Sequence, residues 1–509
     1  MEKLVGIDFG ACNIKIAHWR GKGARTISLS QEAGQNYIPN VILYHRKHDG
    51  EIEQKIGDPA KGAQDPENSV EYVKRKLEME TWTKNIPNLQ RDVSAIDAAT
   101  DIFRALSDRL QKKLNCEAHD LRAVITIPVC SSGLQRSRIY QAARAAGITV
   151  EEIVTEPFAA MFSVEELFNG EERDAYVLIF DFGGSTLDLC LLHVESYDGI
   201  CVEELASAGM SYGGIDIDAA IFSEILEKKY AAELQEIRSR DDTLEKAKSQ
   251  QELRNAVTKL KESLFEDDDD ERELSFTFYG SGQSYDFALT RDEMEEMLNR
   301  HGLDQKISEL LDELFAQTYV QKDEVAVYPF GGTARMQYVQ DVLTKYFGEE
   351  VFDGEDYELD EESIAAVALG AAHYLHIRKE CDDVEIEHKI PFSLGIAQGA
   401  HFKKCIECVP PQRSLRIGIP WETLSKDDFQ VAVYQCFADS EKAGIEGKDG
   451  AVYIGGVDVD RTKYQTADGV LLEMELSDSD HLWMIFSEVC DAEIREVERK
   501  VILLGNAKE

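Results

Sequence analysis

VGIDFGACNIKI, at Val5–Ile16, and LIFDFGGSTLDL, at Leu178–Leu189, are two copies of one pattern. Each copy is an apolar strand, an Asp-Phe-Gly turn and a second strand in which apolar and polar residues alternate. Asp8 and Asp181 hold the same place in the two copies, 173 positions apart. Two similar hairpins at this separation predict a chain built from two related α/β halves.

Two further apolar strands end at junctions that lead into helices. Ala123–Pro128 precedes a helical stretch from Leu134 to Ala146, which a glycine ends. Val325–Phe330 runs into Gly331-Gly332-Thr333 and then into another helical pattern. Strand–loop–helix units with Gly-rich junctions indicate an α/β fold.

The chain is strongly acidic, with 97 Asp and Glu against 55 Lys and Arg in 509 residues and a formal net charge of −42. Such a charge argues against nucleic acid or an anionic membrane as a partner. No apolar run approaches the roughly 18 residues of a membrane span, and the first residues run into a strand rather than a signal peptide. The ten cysteines are scattered, as is typical of reduced thiols. We therefore expect a cytoplasmic protein.

The character of the sequence changes near residue 380. Residues 218–264 carry Glu, Lys and Leu at helical spacing, and Ala365–Ile377 predicts one more helix. The segments beyond are short and β-rich, which predicts a small β-sandwich-like module. Cys405-Ile406-Glu407-Cys408 is a lone CxxC, and it fits two strand residues or half of a metal or redox site. The acidic run Glu266–Glu271 fits a solvated loop.

Paired Asp-x-Gly turns suit a nucleotide. Glycine lets backbone N–H groups approach a phosphate closely, and each aspartate offers Mg²⁺ a ligand, directly or through water. A single turn of this kind also occurs at the ends of ordinary strands. Two copies, together with the Gly331–Thr333 loop, favour a triphosphate clamped between two lobes.

The chain resembles the nucleotide-binding domain of the heat-shock-seventy chaperone family, within the actin and sugar-kinase superfamily. The matching blocks occur in the family's order over residues 1–380, and IPFSLGI (390–396) resembles the first strand of the family's peptide-binding β domain. The blocks are GIDFG (6–10), NSVEYVKRKL (68–77), AVITIPVCSSGLQRSRIYQAARAAGI (123–148), TEPFAA (155–160), FDFGGSTLDL (180–189), GGIDID (213–218), FGGTARM (330–336) and ALGAA (368–372).

This resemblance implies an α/β fold: a duplicated actin-like (ribonuclease H-like) ATPase domain over residues 1–380, with two lobes around a nucleotide cleft. Lobe I would cover about 1–173 and 358–380, and lobe II about 174–357. A linker over 381–389 and a β-rich substrate-binding domain without a helical lid over 390–509 would follow.

The family's site residues carry over to matching positions. Asp8 and Asp181 match the aspartates that hold the waters of Mg²⁺. The positions that match catalytic residues are Lys74, Glu156, Asp181, Thr186 and Asp188. The positions that match the ATP or ADP site are Asp8, Gly10, Ala11, Cys12, Asn13, Gly183, Gly184, Ser185, Thr186, Gly213, Gly214, Lys261, Gly331, Gly332, Thr333 and Arg335.

Several of these residues have a plainer interpretation. Lys74 and Arg136 each fit a surface cation, and Arg335 fits a helix cap. Under the resemblance, Lys74 would neutralise charge on the γ-phosphoryl group, and Pro128 and Arg136 would relay nucleotide state to the β domain.

The chain also departs from the family. Ala11 and Cys12 replace two threonines, so a hydroxyl near the γ-phosphate is lost, and we expect ATP to bind but hydrolysis to slow. In the base pocket an arginine that stacks on the purine is lost, so adenine selectivity does not follow from the resemblance. The pocket's Glu, Lys, Arg and Ser are here Thr258, Lys261, Glu262 and Phe265.

Partner surfaces differ as well. Glu152 stands where the family often has an arginine that docks the J-domain co-chaperone. This reversal of charge argues against a J-domain partner. A nucleotide exchange factor is a further partner that the resemblance implies. The linker Val384–His388 is less apolar than the family's run of leucines, so docking would bury less apolar area.

Three functions therefore remain open. The first is an ATP-driven chaperone that gates a client polypeptide on the β domain. The second is a nucleotide-binding scaffold or assembly factor that hydrolyses ATP weakly and uses the β module for one dedicated partner. The third is a metabolite kinase, against which the long 218–295 segment and the C-terminal β module argue.

Overall fold

The computed structural model describes most of the chain. The described residues are 2–30, 35–63, 65–79, 81–168, 172–197, 199–239, 243–266, 271–277, 284–352, 361–381, 384–387, 393–398, 401–406, 417–419, 428–436, 452–464, 469–476, 481–490 and 493–503. Part of the acidic run, part of the CxxC, His388, the first residues of IPFSLGI and the side chain of Phe265 lie outside them.

The first half of residues 1–380 forms a six-stranded mixed sheet, a three-stranded sheet and a two-stranded sheet, with helices packed on them. Its strands are β1 (Lys3–Phe9), β2 (Asn13–Arg20), β3 (Gly23–Thr26), β4 (Tyr37–Pro39), β5 (Val41–Arg46), β6 (Ile52–Ile56), β7 (Ser69–Glu71), β8 (Thr83–Ile86), β9 (Arg91–Ser94), β10 (Leu121–Ile127) and β11 (Thr149–Thr155). Its helices are α1 (Asp58–Lys61), α2 (Val73–Lys76), α3 (Ala95–Leu114), α4 (Gly133–Ala145) and α5 (Glu156–Met161).

The second half also combines a mixed sheet with packed helices. Its strands are β12 (Arg173–Phe182), β13 (Leu187–Ser196), β14 (Ile200–Met210), β15 (Glu271–Thr277), β16 (Ser284–Thr290) and β17 (Val325–Phe330). Its helices are α6 (Gly214–Ala220), α7 (Glu227–Lys229), α8 (Ala231–Arg238), α9 (Thr243–Glu266), α10 (Arg291–Arg300), α11 (Leu303–Phe315) and α12 (Gln337–Phe347), and a π-helical turn (Ile221–Leu226) joins α6 to α7. Helix α13 (Glu361–Glu380) and strand β18 (Val384–Glu387) follow.

The C-terminal region is made of strands. They are β19 (Ser393–Gln398), β20 (His401–Ile406), β21 (Ile417–Ile419), β22 (Asp428–Cys436), β23 (Val452–Asp460), β24 (Gly469–Leu476), β25 (His481–Cys490) and β26 (Glu493–Leu503). They form two four-stranded sheets, β20-β19-β22-β23 and β21-β24-β25-β26. Alternate residues from both sheets, among them Val433, Val459, Leu472 and Met484, meet in one apolar core, as the β-sandwich prediction requires.

The two halves share one run of four strands, because β10-β1-β2-β3 in the first half corresponds to β17-β12-β13-β14 in the second. Sheet I has the order β11-β10-β1-β2-β3, and sheet II has the order β17-β12-β13-β14-β18. In each sheet the strand that carries the Asp-Phe-Gly turn lies between a parallel neighbour and its own antiparallel hairpin partner. The predicted fold class, a duplicated two-lobed α/β domain followed by a β module, is confirmed.

Helix α13 packs between the lobes because its small residues permit close contact. A Cβ atom added to Gly6 of β1 would overlap Ala368 O, and one added to Gly370 would overlap Ala159 O of α5. The apolar core around α13 draws residues from both sheets, including Val154 and Ile179. This packing explains the run ALGAA, and it fixes the two lobes against a common helix.

Two findings bear on the chain's environment. Among the described residues, no helix combines the length and apolar character needed to cross a membrane. The cysteines whose side chains are described, such as Cys12 and Cys190, form no disulfide.

Candidate functional site

Asp8 and Asp181 face one cleft between the two lobes. Each lies near the carboxyl end of its strand, β1 or β12, and each is almost wholly buried. Asp8 is one of the charges that raise the pKa of Asp181, and a Cβ added to Gly184 of lobe II would lie 2.6 Å from the Cys12 Sγ of lobe I. The two predicted turns therefore meet.

Buried carboxyl groups dominate the cleft. Burial is the largest cause that raises the pKa of Glu156, Asp181 and Asp188, and the carboxyls act on one another as well. Burial and Glu156 together raise the pKa of Asp188 to about 7. Because the cleft disfavours the charged forms of its own carboxyl groups, a bound cation would stabilise their ionisation.

Lys74, predicted to be catalytic, is buried in this cleft and forms an ion pair with Glu156. Its backbone is held by Gln135 of α4, whose Nε2 donates to Lys74 O over 2.9 Å. A surface cation is therefore the wrong interpretation of Lys74.

Asp188 and Thr186 lie together on the second hairpin. Asp188 is directly opposite Asp181 in the register of β12 and β13. Its Oδ1 accepts a hydrogen bond from the Val129 N–H over 2.7 Å, and the Thr186 hydroxyl bonds the same carboxyl group. Asp188 Oδ2 is buried, and no residue in the described part of the chain bonds it, so one acceptor is left for a water or ligand.

Lys15, which the sequence analysis did not select, lies opposite Asp8 in the first hairpin. Its Nζ is 3.0 Å from Asp8 Oδ2. Burial alone would lower the pKa of Lys15, but the carboxylates of Asp8, Asp181 and Glu156 together outweigh it, and the pKa is raised. The signal in the sequence was a lysine between two apolar strand residues, in the position that corresponds to Asp188.

The first loop, Gly10 to Asn13, is held by Asn40. The Asn40 side chain donates to Gly10 O over 2.7 Å, and its backbone N–H donates to Cys12 O over 2.7 Å. A Cβ at Gly10 would collide with Asn13 O. Ala11 is buried, and burial raises the pKa of the Cys12 thiol to about 11, so Cys12 is neutral at physiological pH.

The second loop, Gly183 to Thr186, packs on the start of α6. The Gly183 N–H donates to Thr186 O over 3.0 Å, and the N–H groups of Gly214 and Ile215 donate to Gly183 O and Gly184 O. A Cβ at Gly213 would lie 2.5 Å from Ser185 N. Gly213 is therefore required by its close contact with the backbone of this loop.

The residues predicted to lie on the adenosine side form a third group beside this loop. Lys261 Nζ lies 2.7 Å from Asp218 Oδ1 and donates to Gly214 O over 2.9 Å. The Thr258 hydroxyl donates to Asp218 Oδ2 over 2.8 Å. Asp218 thus holds two of the predicted base-pocket residues, and Glu262 is exposed nearby.

The loop from Gly331 to Arg335 closes this side of the cleft. Gly331 has φ +87°, and a Cβ there would lie 2.7 Å from Asp181 Oδ1, so only glycine fits. The Thr333 hydroxyl donates to Gly183 O over 2.8 Å. A Cβ at Gly332 would meet nothing within 4 Å, which leaves open space beside the loop. Arg335 ends the short 3₁₀ helix Thr333–Arg335 and is half-buried.

An ion pair that the sequence analysis also missed crosses the cleft. The Arg75 guanidinium of α2 donates to Asp216 Oδ2 over 2.7 Å, to Asp216 Oδ1 over 3.2 Å and to Ser185 O over 3.2 Å. Gln251 of α9 also donates to the Glu71 carboxylate. These contacts join lobe I to lobe II beside the second loop.

Glu152 lies inside the protein. Its carboxylate accepts hydrogen bonds from Tyr374 over 2.7 Å and from Arg378 of α13 over 2.5 Å. Arg136 is buried on α4, three residues after Gly133, and Pro128 directly follows β10. The interpretation of Glu152 as a reversed charge on a docking surface therefore needs correction, because Arg378 neutralises it within the fold.

The linker segment Val384–Glu387 is a strand of sheet II. It pairs in parallel with β14, with Val384 opposite Ile200 and Glu387 opposite Glu203. Val384 and Ile386 pack on the core shared by the two lobes, while Glu385 and Glu387 are exposed.

The cleft suits Mg²⁺ and a polyphosphate. Asp8, Glu156, Asp181 and Asp188 with Lys15 and Lys74 leave two negative charges when all are ionised. A divalent cation would balance them, and carboxylate oxygens are the ligands that Mg²⁺ prefers. Asp188 Oδ2, which no described residue bonds, and the open side of Gly332 leave a place for such a ligand.

The chain is similar to known chaperones. The sequence model of the family described as Hsp70 protein matches residues 4–440. A chaperone protein DnaK of Stenotrophomonas maltophilia is 29% identical over 434 residues, which cover 80% of this chain and 65% of the relative. A chaperone protein DnaK of Methanothermobacter thermautotrophicus is 27% identical over 426 residues, 81% of this chain and 67% of the relative. A chaperone protein HscA homolog of Aromatoleum aromaticum is 29% identical over 453 residues, 84% of this chain and 67% of the relative. The chain thus spans about two thirds of the length of these relatives.

Proposed function

The chain belongs to the Hsp70 family, and on that premise we propose that it is an ATP-dependent chaperone that hydrolyses ATP to ADP and phosphate and so controls a client polypeptide on its C-terminal β module. The observation that carries the proposal is the cleft in which Asp8 and Asp181 come together from duplicated hairpins. The proposed domain limits are those of the sequence analysis: 1–380, 381–389 and 390–509.

In this proposal the phosphates lie between the first two loops. Gly10, Ala11, Cys12 and Asn13 would hold them from lobe I, and Gly183, Gly184, Ser185 and Thr186 from lobe II. The adenosine would lie against Gly213, Gly214, Lys261, Gly331, Gly332, Thr333 and Arg335. Asp8 and Asp181 would hold Mg²⁺ through its waters, and the ion would neutralise phosphate charge.

The remaining polar residues would act on the reacting groups. Asp188 Oδ2 has no hydrogen-bond partner among the described residues, so it would accept a hydrogen bond from the attacking water, with the Thr186 hydroxyl beside it. Lys74, held by Glu156, would stabilise negative charge on the γ-phosphoryl oxygens. Glu156 would orient Lys74 and the waters of the metal.

Two routes lead from this cleft to the β module. In one, the Val129 N–H binds Asp188, so a change at Asp188 would reach Pro128 and then α4, which lies against β23 of the β module. In the other, β18 is already paired with sheet II. Both routes support the proposed coupling of nucleotide state to client binding. A J-domain co-chaperone and a nucleotide exchange factor remain proposed partners.

A second candidate is a scaffold or assembly factor that hydrolyses ATP weakly. The first loop favours it, because Ala11 has no hydroxyl and Cys12 keeps a neutral thiol. Both candidates bind nucleotide, so the rate of turnover decides between them.

The test is a steady-state ATPase assay with and without a panel of unfolded peptides, run beside Lys74→Ala. A chaperone is expected to show turnover that peptide raises and that Lys74→Ala lowers by about 10²–10³-fold. Turnover equal to that of Lys74→Ala, with peptide present, would support the scaffold. Absence of Mg²⁺–ATP binding in a calorimetric titration would overturn both.

A further inference from the structure

The two duplicated hairpins differ at one buried position. Lys15 and Asp188 occupy equivalent places, since Lys15 is opposite Asp8 in one hairpin and Asp188 is opposite Asp181 in the other. The same backbone geometry therefore aims an ammonium group into the cleft from lobe I and a carboxylate from lobe II. The duplication makes Lys15 a constituent of the site rather than an outlying surface lysine.

The Lys15 ammonium is held at the centre of the acidic cleft. Its side chain is 17% exposed, and its Nζ is 3.0 Å from Asp8 Oδ2. Asp181 and Glu156 also stabilise its charge. A Cβ at Gly10 would lie 3.5 Å from Asp8 Oδ1, so the first phosphate loop is adjacent to the carboxylate that Lys15 contacts.

A polyanion that enters this cleft meets four carboxyl groups. Lys74 is paired with Glu156, and Lys261 with Asp218. Lys15 is the described cation whose partner is Asp8, a proposed holder of Mg²⁺ waters. Lysine has a flexible four-carbon stem and a compact charge, so its ammonium would reach a phosphate oxygen at the first loop without leaving Asp8.

We propose that Lys15 binds the nucleotide phosphates and that its fixed positive charge makes nucleotide binding less dependent on Mg²⁺. This inference rests on the proposed nucleotide site. In the nucleotide-free protein Lys15 neutralises Asp8, and when a nucleotide binds, the same ammonium is shared with a phosphate oxygen. The alternative is a purely structural lysine that only neutralises Asp8, which would alter stability and leave the Mg²⁺ dependence of binding unchanged.

The test is calorimetric titration of the full chain with ADP, in Mg²⁺ and in EDTA, for wild type and Lys15→Met. The measured quantity is the ratio of Kd in EDTA to Kd in Mg²⁺. We expect this ratio to rise by about 10–100-fold in Lys15→Met, the value of a hydrogen bond to a charged group. Lys22→Met, at an exposed lysine in the turn between β2 and β3, is the matched control and is expected to keep the wild-type ratio.

The outcomes separate the two proposals. Equal ratios for wild type and Lys15→Met overturn the role of Lys15. Failure of wild type to bind ADP even in Mg²⁺ overturns the proposed function itself. If Lys15→Met does not fold, as judged by circular dichroism, Lys15→Gln and Lys15→Arg repeat the comparison. Lys15→Arg keeps the charge and is expected to retain the wild-type ratio, whereas Lys15→Gln is expected to raise it.

Discussion

Asp181 and Asp188 lie directly opposite each other in the register of β12 and β13, and both carboxyl groups are buried in the cleft. Such a pair disfavours double ionisation. The cleft therefore holds protons that a bound cation would displace, which links its occupancy to pH.

We expect the ligand-free protein to lose stability as pH rises through the range in which Asp188 ionises. Its folded pKa is raised to about 7, from the ordinary 3.8, so the folded state holds a proton between about pH 4 and 7 that the unfolded state has lost. Stability falls with rising pH wherever the folded state binds more protons. Melting temperatures in EDTA between pH 5 and pH 8 would measure this, and Asp188→Asn should flatten the slope. Identical slopes for the two proteins would contradict the assignment.

We expect Gly184→Ala to destabilise the closed cleft, because its new Cβ would lie 2.6 Å from Cys12 Sγ. Overpacking of this kind costs about 1–3 kcal/mol. The double variant Gly184→Ala with Cys12→Ala removes the sulfur and should recover most of the loss. Thermal melts of the single and the double variant test it, with Gly23→Ala as the control, since a Cβ at Gly23 meets nothing within 4 Å. An unrecovered double variant would show that the two loops do not meet.

We expect Arg75→Met to speed nucleotide release. Arg75 joins α2 to Asp216 and to Ser185 O across the cleft, and the pair is about one-third exposed. A pair at that depth contributes about 1 kcal/mol, so release of a fluorescent ADP analogue should be about fivefold faster in stopped flow. The control Arg104→Met breaks an ion pair with Asp101 inside α3 and should leave release unchanged. An Arg75→Met rate equal to wild type would count against a closing role.

We expect Glu203→Gln to tighten docking of the linker strand β18. Glu203 is directly opposite Glu387, and like charges at such positions are destabilising by about 0.2–1 kcal/mol. Cleavage after Glu385 or Glu387 by a glutamyl endopeptidase should slow by up to about fivefold. Glu53→Gln, in β6, supplies the control. Faster cleavage in Glu203→Gln would mean that the charge holds the linker rather than repels it.

Much of the architecture follows from local patterns in the sequence. The repeated Asp-Phe-Gly hairpin predicted two related sheets, because alternation and turn residues specify strands whatever surrounds them. The helix at Ala365–Ile377 and the β-rich C-terminal region could be predicted for the same reason. The structure has helix α13 over Glu361–Glu380 and two four-stranded sheets in the C-terminal region.

The sequence by itself determined the repeated elements, the fold class and which acids lie at strand ends. Only the tertiary structure decided their partners. Glu152 is neutralised by Arg378, 226 positions later, and Arg75 meets Asp216 across the cleft. Lys15 is present in the repeated pattern, but the sequence alone did not indicate a role for it. The register of the hairpin places it opposite Asp8, among buried carboxylates. Local periodicity specifies an element and its apolar face, whereas the partner of a charged side chain depends on contacts between elements that are distant in sequence.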